Sequence, residues 1–447
     1  MLIEKGSTIA ILGGGQLGKM LCESAKIQGY KTMVLEPSPS ACAKYVTDKH
    51  LVKAYDDKDA LIEIAKESDV VTYEFENVTA ESINILETNG GYVPQGIRPL
   101  YISQHRFREK SSINNLGIKT AKFEKVTDSE SLDKAIEIIG YPAILKTSMG
   151  GYDGKGQWVI RTKEDLENAK KDLEKREYIL EQMVDFQCEL SCIAVKSTDG
   201  SIGVFPVVEN IHKKGILHIT IAPARVSEEI QEKVKDITKK IIDGLNFVGP
   251  LAIEYFYGKD GEIYVNEMAP RPHNSAHYTL DGCDKSQFDL HIEGICGKKL
   301  TDPKLLHKSV MLNILGQDVE RIEKASLREN EFLHMYNKGE AKVDRKMGHL
   351  NLIGEDLEAL IKRAEMGHYG YPYIDSAFEE SIARWYKVRH NTVLNPKYID
   401  FSPCVIPAMI WCVEEFSSVG DKVLLQTPVY PPFHDLVKNN GRQLVYN

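Results

Sequence analysis

Long hydrophobic runs are missing from this chain of 447 residues. No stretch reaches the roughly 18 apolar residues that a membrane-spanning helix needs. Residues 1–6 lack the apolar core of a signal peptide. Cysteine is also sparse, with 8 residues, which excludes a scaffold built on disulfides. We therefore expect a cytoplasmic protein with reduced thiols and no membrane partner.

The chain also has no excess of basic over acidic residues. Lysine and arginine number 56 against 65 acidic residues, and the net charge is −9. Nothing in this balance supports a nucleic-acid partner. Hydrophobic residues make up 42% and charged residues 27%, which is typical of a folded globular chain. Cys188 and Cys192 are spaced as CxxxC without a second Cys/His pair nearby, so we expect packed thiols rather than a zinc site.

Strand and helix patterns alternate over the first 100 residues. Short apolar strands are predicted at 8–12, 31–35 and 69–73, and a helical pattern follows the first of them. Strands separated by helices indicate βαβ units and a parallel sheet. From about residue 141 to 270 strands and helices mix, which favours an α+β arrangement.

A glycine motif follows the first predicted strand. Gly13-x-Gly15-x-x-Gly18 precedes a helix, and Glu36 ends the second strand. In form this matches the dinucleotide-binding fingerprint of nicotinamide enzymes. The alternative is a tight or phosphate-facing turn in another α/β domain. The rest of the chain favours that alternative, because it shows no hydride-transfer site but does contain a second nucleotide-binding pattern.

That second pattern centres on a predicted hairpin at 251–267. Asp260-Gly261 is a strong signal for a two-residue turn. A turn centred there places Glu254 opposite Glu267, with Cβ atoms roughly 4.5–5.5 Å apart. Two like charges at that distance repel unless a cation lies between them, and oxygen ligands suit Mg²⁺. The alternative is a solvated pair at a sheet edge, without metal.

Two loops supply candidate anion-binding groups near this pair. The loop at 150–157 is rich in glycine and carries Lys155, so its backbone N–H groups can approach phosphates, although it is not a Walker A loop. Lys146 lies at the end of the strand before it. The loop after the hairpin crowds Arg271, His273 and Asn274 between prolines. This density favours binding of an anionic substrate.

Together these motifs resemble the ATP-grasp superfamily and, within it, the 5-(carboxyamino)imidazole ribonucleotide synthases of purine biosynthesis. The resemblance covers about residues 5–354 and rests on the segments 13–18, 74–78, 150–157, 206–212, 266–277, 286–289, 311–316 and 345–349. It implies α/β and α+β architecture in three domains. These are a Rossmann-like pre-ATP-grasp domain at 1–100, an ATP-grasp domain at 101–298 and a small β-rich domain at 299–356.

The resemblance also implies a site. ATP would be held by Arg106, Lys146, Gly151, Tyr152, Asp153, Gly154, Lys155, Gly156, Gln157, Glu181, Gln182, Met183, Val184, Glu189, His212, Asn266 and Glu267. Mg²⁺ would be held by Glu254 and Glu267. The substrate aminoimidazole ribonucleotide would contact Tyr152, Asp153, Arg271, His273, Asn274, Arg345 and Lys346. Candidate catalytic residues are Asp153, Lys155, Arg271 and His273. The family's homodimer is expected too.

The implied reaction is carboxylation of an amine by bicarbonate at the expense of ATP. Bicarbonate attacks the γ-phosphate, and the resulting carboxyphosphate supplies CO₂ to the substrate amine. Phosphoryl transfer of this kind needs neutralised charge and in-line positioning rather than a protein nucleophile. Carboxyphosphate hydrolyses readily, so the glycine loop is expected to act as a lid. There are two alternatives. One is another ATP-grasp ligase, and the other is an impaired fusion product that still binds ATP.

The tail at 357–447 carries a different pattern. Its segments 357–364, 367–372, 385–386, 401–403, 420–423 and 426–433 resemble the N-terminal part of fold-type I pyridoxal-phosphate aminotransferases of the cystathionine β-lyase type. A helix such as 357–364 could also end the preceding family. The cofactor-binding residues and the Schiff-base lysine of that family lie further on than the part resembled here. We therefore expect a truncated fragment without pyridoxal phosphate. An accidental fusion is the simpler hypothesis, and a regulatory tail is the alternative.

Overall fold

The computed structural model describes the chain apart from residues 151–155, 324, 326, 367–375 and 403. The chain forms two compact units, Met1–Gly370 and Tyr371–Asn447. Throughout the described part, every helix is too short or too polar to cross a membrane.

The first unit begins with a parallel sheet and its covering helices. In chain order its elements are β1 (Thr8–Leu12), α1 (Gln16–Ile27), β2 (Lys31–Leu35), β3 (Lys49–Leu51), α2 (Lys58–Glu67), β4 (Val70–Tyr73), α3 (Ala80–Thr88) and α4 (Arg98–Ser103), with a 3-10 helix at Cys42–Tyr45. The strand order is β3-β2-β1-β4, and all pairs are parallel. The predicted strands and βαβ arrangement are therefore present. The boundary predicted at residue 100 falls inside α4.

Strand β1 shows why this sheet forms. Ile9 and Ile11 pack in one core cluster, whereas Ala10 and Leu12 pack in another on the opposite face. A parallel strand covered on both faces reads as an unbroken apolar run rather than an alternating one. The resulting sheet presents the loops after β1 and β4 at one edge.

A second, antiparallel sheet follows. Its elements are α5 (Arg106–Asn115), β5 (Phe123–Val126), α6 (Ser129–Ile139), β6 (Ala143–Thr147), β7 (Gln157–Ile160), α7 (Lys163–Lys171) and β8 (Tyr178–Gln182). The strand order is β5-β8-β6-β7. Helices α6 and α7 begin with capping boxes at Asp128 and Thr162, which satisfy free backbone N–H groups. The predicted glycine loop connects β6 to β7.

The largest sheet has nine strands. Its elements are β9 (Phe186–Lys196), β10 (Ile202–Val204), β11 (Val208–Lys213), β12 (Ile216–Ala222), α8 (Glu228–Gly244), β13 (Gly249–Gly258), β14 (Ile263–Ala269), α9 (Thr279–Gly282), α10 (Gln287–Ile295), β15 (Lys308–Leu315), α11 (Val319–Glu323), β16 (Glu331–Met335), β17 (Lys346–Gly354) and α12 (Leu357–Met366). Short 3-10 helices lie at Asn274–Ala276 and Gly316–Asp318. The order is β14-β13-β9-β11-β12-β15-β17-β16, and β10 pairs with β9. The β-rich C-terminal strands therefore extend the ATP-grasp sheet through the β12–β15 pairing.

Helix α12 corrects the expected boundary at residue 356. Leu360, Ile361 and Ala364 are buried in the same core cluster as residues of β15 and β17. The Arg363 guanidinium donates to Glu331 Oε1 at 2.7 Å. Removing this amphipathic helix would uncover that core, so the helix belongs to the first unit and not to the tail.

Cys188 and Cys192 behave as packed thiols, whereas Cys404 and Cys412 are exposed. All eight are free, and Cys188 and Cys192 both lie on β9. Burial raises the pKa of Cys192 to about 12 and that of Cys188 to about 11. Such thiols are poor nucleophiles and poor metal ligands at neutral pH, so the packed-thiol prediction is confirmed for this pair.

The second unit is small and exposes apolar side chains. It contains α13 (Ser376–His390), a 3-10 helix (Pro396–Tyr398), α14 (Val405–Phe416), β18 (Lys422–Leu425), α15 (Pro432–Asn439) and β19 (Gln443–Tyr446). Strands β18 and β19 pair in parallel. Two strands give little independent stability. Phe416 is 84% exposed and Leu424 is 61% exposed, so this unit leaves large apolar side chains uncovered.

Candidate active site

The hairpin of β13 and β14 brings Glu254 and Glu267 opposite each other, as predicted. The turn, however, differs from the predicted one. Gly258 donates to the Glu262 carbonyl at 2.9 Å and Gly261 has a φ of +80°, so the loop holds three residues rather than two. A register shift between Glu254 and Tyr255 leaves Asn266 as an extra, bulged residue. The bulge restores the pairing that the longer loop would have displaced.

The two carboxylates have different electrostatic surroundings. Burial raises the pKa of Glu254 to about 7, and the neighbouring Glu267 charge adds to this rise. Burial acts in the same direction on Glu267, but the Arg106 guanidinium, 2.9 Å from Glu267 Oε2, outweighs it and lowers the pKa. Glu267 is therefore ionised at neutral pH. Glu254 is partly protonated there as long as no cation offsets the repulsion between the two carboxylates.

These carboxylates line a cavity of about 1010 Å³ in the first unit. Its wall is formed by several elements of the two antiparallel sheets and by the loops after β4 and β14. The predicted site residues in that wall are Arg106, Lys146, Gln157, Glu189, His212, Glu254, Asn266, Glu267, Arg271, His273, Asn274 and Lys346. The structure thus gathers most of the predicted site around one space large enough for a nucleotide and a second substrate.

A buried ion-pair cluster fixes one side of the cavity. Lys146 Nζ lies 2.9 Å and Lys110 Nζ lies 3.4 Å from the same Glu181 oxygen. Burial works to raise the pKa of Glu181, but the two lysines lower it to about 2. Lys110 also donates to the backbone carbonyl of Asn266 at 2.9 Å. The cluster therefore connects β8, α5 and the bulge beside the carboxylate pair.

Glu189 and His212 form a second charged pair in the wall. The imidazole Nδ1 contacts Glu189 Oε2 across the adjacent strands β9 and β11. Burial works to lower the pKa of His212, but the Glu189 carboxylate raises it overall. The pair offers an imidazole and a carboxylate at the position that the resemblance assigns to ATP.

The loop after β14 supplies the remaining groups. Arg271 Nε lies 2.9 Å from Glu76 Oε1, and His273 Nε2 lies 3.5 Å from Glu254 Oε1. Burial and the nearby Arg271 hold the pKa of His273 well below its usual range. Asn274 Nδ2 is buried and meets no hydrogen-bond partner among the described residues. Arg271, His273 and Asn274 therefore all line the cavity, and the first two bring a cation and a neutral imidazole to it.

Several predicted residues lie elsewhere. The segment 181–184 and Arg345 are outside the cavity wall, and Arg345 is exposed and donates to the Glu340 carbonyl at 3.1 Å. Gly156, with a φ of +71°, ends the glycine loop before β7 and is also outside that wall. Gly151, Tyr152, Asp153, Gly154 and Lys155 lie outside the described residues.

One acidic and one basic residue of α5, Glu109 and Lys110, were not predicted from the sequence to belong to the site. Glu109 is buried, accepts the Met268 N–H, and has its pKa raised to about 8, chiefly by burial and then by Glu267. Lys110 bridges Glu181 and the bulge, as described above. The available signal was their spacing from Arg106, because residues three and four apart share one helix face.

The N-terminal glycine motif is already filled by the protein itself. The Glu74 carboxylate accepts the backbone N–H of Gly15 at 2.6 Å and that of Gly18, at the start of α1. Glu36 accepts the Gly14 N–H at 3.0 Å. A pyrophosphate would have to displace the Glu74 carboxylate from this helix N-terminus. The structure therefore supports the tight-turn alternative over a nicotinamide site.

The donor set suits Mg²⁺. Two carboxylates face each other, and Asn266 Oδ1 beside them is buried without a hydrogen-bond partner in the described part of the chain. No group of three or more His, Cys, Asp or Glu residues suitable for a metal occurs among the described residues. Mg²⁺ in nucleotide sites takes one or two carboxylates and completes its shell with phosphates and water, so the residues present fit it.

Family comparisons divide the first unit into three consecutive segments. Residues 6–104 match the ribonucleotide synthetase preATP-grasp domain, 111–288 match the ATP-grasp domain, and 309–363 match the phosphoribosylaminoimidazole carboxylase C-terminal domain. The fold and the carboxylate-lined cavity thus define an ATP-grasp ligase. None of these three families is a pyridoxal-phosphate enzyme, and the matched residues end at 363.

Individual relatives identify the group. The N5-carboxyaminoimidazole ribonucleotide synthase of Bacillus subtilis (strain 168) is 44% identical over 353 residues, which cover 79% of this chain and 93% of the relative. That of Staphylococcus aureus (strain COL) is 41% identical over 357 residues, covering 79% and 95%. The chain belongs to the N5-carboxyaminoimidazole ribonucleotide synthase family.

Solved structures agree. An N5-carboxyaminoimidazole ribonucleotide synthetase in its ADP complex superposes with a TM-score of 0.79 at 44% identity, covering 82% of this chain and 97% of that chain. The Aspergillus clavatus enzyme in complex with ADP and 5-aminoimidazole ribonucleotide superposes with a TM-score of 0.74 at 29% identity, covering 81% and 98%. The architecture of the first unit is therefore that of complete members of the family.

Proposed function

We propose that the first unit carboxylates 5-aminoimidazole ribonucleotide, using ATP and bicarbonate, through carboxyphosphate. The observation that carries this proposal is the single cavity in which a carboxylate pair, several cations and a neutral imidazole converge. The proposal is also supported by the Aspergillus clavatus structure with ADP and 5-aminoimidazole ribonucleotide, which shares this fold. The reaction belongs to purine biosynthesis, and we propose a cytoplasmic location.

The nucleotide occupies the side of the cavity formed by the two antiparallel sheets. Lys146 and Arg106 would face its phosphates, and Glu189 with His212 would face its sugar end. In the structure, Lys146 pairs with Glu181 and Arg106 pairs with Glu267. Binding of phosphates would redirect these cations from carboxylates to the ligand. The segment Glu181, Gln182, Met183 and Val184 remains our prediction for the adenine contact.

Glu254, Glu267 and Asn266 would hold Mg²⁺ beside those phosphates. When bound, the cation would neutralise charge on the transferred phosphoryl group. Arg106 holds Glu267 in its ionised form, and His273 approaches Glu254. Lys146 offsets negative charge that develops in the transition state. These residues orient the phosphates and neutralise their charge. The proposed step uses no covalent protein nucleophile.

The acceptor substrate occupies the side lined by the loop after β14. Arg271, His273, Asn274 and Lys346 line this part of the cavity. Asn274 Nδ2 is buried without a hydrogen-bond partner among the described residues, and a buried donor of this kind gains from any acceptor that reaches it. Tyr152, Asp153 and Lys155 remain predictions for substrate binding and proton handling, and so does Arg345 for substrate binding.

The tail takes no part in this proposal. The resemblance to a pyridoxal-phosphate aminotransferase fragment was assigned to 357–447. Because α12 packs in the first unit, we propose this interpretation only for 367–447, and we propose that this part binds no pyridoxal phosphate. The family's homodimer is likewise proposed for this chain. An enzyme that binds ATP without turnover would indicate that the tail impairs a competent ligase.

Release of ADP by the purified chain tests the function. The proposal requires release that depends on Mg²⁺, bicarbonate and 5-aminoimidazole ribonucleotide together. ADP release that needs a different acceptor in place of the ribonucleotide would replace this assignment with another ATP-grasp ligase activity.

A further inference from the structure

A chain of buried polar side chains runs through the large sheet to His273. Thr220 Oγ1 donates to Asn210 Oδ1 at 2.9 Å, and Asn210 Nδ2 donates to Ser191 Oγ at 3.0 Å. Ser191 Oγ donates to Ser275 Oγ at 2.8 Å, and Ser275 Oγ lies 2.9 Å from His273 Nδ1. The first four side chains are all buried, Ser191 and Thr220 completely.

The direction of this chain is fixed at the histidine end. The backbone N–H of Ser275 also points at His273 Nδ1, with a separation of 3.3 Å. An amide N–H can only donate, so Nδ1 must present its lone pair. The Ser275 hydroxyl then donates to Nδ1 and accepts from Ser191. From Asn210 Nδ2 to His273 Nδ1, each group in this series donates to the next one. The direction required at Asn210 is therefore the same as the direction required at His273.

The backbone of His273 is held independently. Gln287 is completely buried, its Oε1 accepts the His273 N–H at 2.8 Å, and its Nε2 donates to the His273 carbonyl at 2.9 Å. One side chain thus satisfies both backbone groups of His273, as a neighbouring strand would. The imidazole is therefore restricted in position as well as in hydrogen bonding.

We propose that Ser275, Ser191 and Asn210 are positioning residues that hold His273 as the neutral tautomer with its hydrogen on Nε2, directed at Glu254. His273 Nε2 lies 3.5 Å from Glu254 Oε1. The opposite tautomer would set Nδ1–H against the Ser275 amide and turn a lone pair toward a carboxylate. The held tautomer orients Glu254 without placing a second positive charge beside the cation that Glu254 is proposed to bind.

Nitrogen-15 NMR of the full-length, histidine-labelled protein without nucleotide or metal tests the tautomer directly. His273→Asn assigns the resonances by their loss. We expect a pyridine-type Nδ1 and a pyrrole-type Nε2 for His273 at neutral pH. A pyrrole-type Nδ1, or an imidazolium, would overturn the proposal. This result does not depend on any activity of the protein.

A matched pair of variants tests the role of the chain. Ser275→Ala removes one donor to Nδ1, whereas Ser309→Ala removes a buried hydroxyl of the same sheet that donates to the His307 carbonyl. We expect the His273 Nδ1 resonance to move downfield in Ser275→Ala alone. We also expect that variant alone to need about fivefold more Mg²⁺ for half-maximal turnover, the equivalent of one hydrogen bond.

The Mg²⁺ measurement rests on the proposed function, but its failure can be separated from failure of that function. A wild-type chain that releases no ADP contradicts the proposed function and leaves the NMR result standing. An active wild-type chain whose Ser275→Ala variant shows unchanged Nδ1 resonance and unchanged Mg²⁺ dependence contradicts the positioning role.

Discussion

Glu254 and Glu267 lie directly opposite each other because a bulge at Asn266 compensates for a three-residue loop. The same bulge turns the Asn266 carbonyl to Lys110 and leaves Asn266 Oδ1 free of partners within the described residues. One irregularity in a strand therefore builds three features of the site: the carboxylate pair, an extra oxygen donor and a link to the buried lysines. Bulges next to active sites commonly redirect side chains in this way.

Replacing Glu267 by glutamine is expected to reduce turnover by at least about 100-fold, because the ionised carboxylate that faces the proposed cation is lost. Turnover is measured as ADP release over a range of Mg²⁺ concentrations. Glu262→Gln, a half-buried position in the same hairpin whose carboxylate lies 3.1 Å from Lys119 Nζ, is the control. Turnover near the wild-type rate in Glu267→Gln would remove the metal assignment.

Arg271→Gln is expected to raise the KM for 5-aminoimidazole ribonucleotide by about 10- to 100-fold, the range for a hydrogen bond to a charged group. The KM for ATP should change little, because Arg271 lies on the acceptor side of the cavity beside Glu76. Steady-state kinetics with each substrate varied in turn separate the two constants. A larger effect on ATP than on the ribonucleotide would contradict the placement of the two substrates.

Glu181→Gln is expected to lower the free energy of unfolding at pH 7 by on the order of 3 kcal/mol. The lysines hold the pKa of Glu181 at about 2 despite burial, below the ordinary value of 4.5. A carboxyl with a lowered folded pKa stabilises the fold above its unfolded pKa, and this stabilisation is lost as pH falls toward the folded value.

The difference between Glu181→Gln and wild type should therefore be full above pH 4.5 and shrink as the pH falls toward about 2. Denaturant unfolding at a series of pH values measures it, with Glu262→Gln, which removes a half-buried ion pair with Lys119, as the comparison. A difference that grows on acidification would contradict the buried ion-pair cluster.

Gly13→Ala is expected to destabilise the fold more than Gly6→Ala. Both glycines have positive φ, +109° and +91°, so both substitutions strain the backbone. A Cβ at Gly13 would come within 2.3 Å of Glu74 Cγ, whereas a Cβ at Gly6 meets nothing within 4 Å. Overpacking of this kind costs about 1–3 kcal/mol. Equal unfolding free energies for the two variants would argue against Glu74 filling the glycine turn.

A chain ending at Gly370 is expected to keep the stability of the first unit, whereas one ending at Gly354 is not. The shorter chain lacks α12, and with it the buried Leu360, Ile361 and Ala364. It also loses the Arg363–Glu331 contact at 2.7 Å. Thermal unfolding of the two truncations beside the full chain makes the comparison. Equal melting temperatures for both truncations would show that α12 is dispensable.

Local patterns predicted the first sheet well because its signals are local. The apolar strands 8–12 and 31–35 and the following helix depend on neighbouring residues, and they lie where expected. The Glu254–Glu267 pairing was also correct, although the predicted turn was wrong. The bulge at Asn266, whose carbonyl accepts a hydrogen bond from Lys110 on α5, was not revealed by any local pattern.

The parts that could not be predicted depend on distant contacts. Glu109 and Lys110 look like ordinary charged residues of a surface helix, yet α5 packs against β14 and buries both. Glu74 reaches the glycine turn only through the pairing of β1 with β4. The membership of α12 in the first unit likewise follows from its packing on β15 and β17.

ADP release by the full chain is the most direct test of the central claim. The account predicts release in the presence of Mg²⁺ that requires both bicarbonate and 5-aminoimidazole ribonucleotide, and that is lost in Glu267→Gln. Release that proceeds without the ribonucleotide, or none from either the full chain or the chain ending at Gly370, would contradict it.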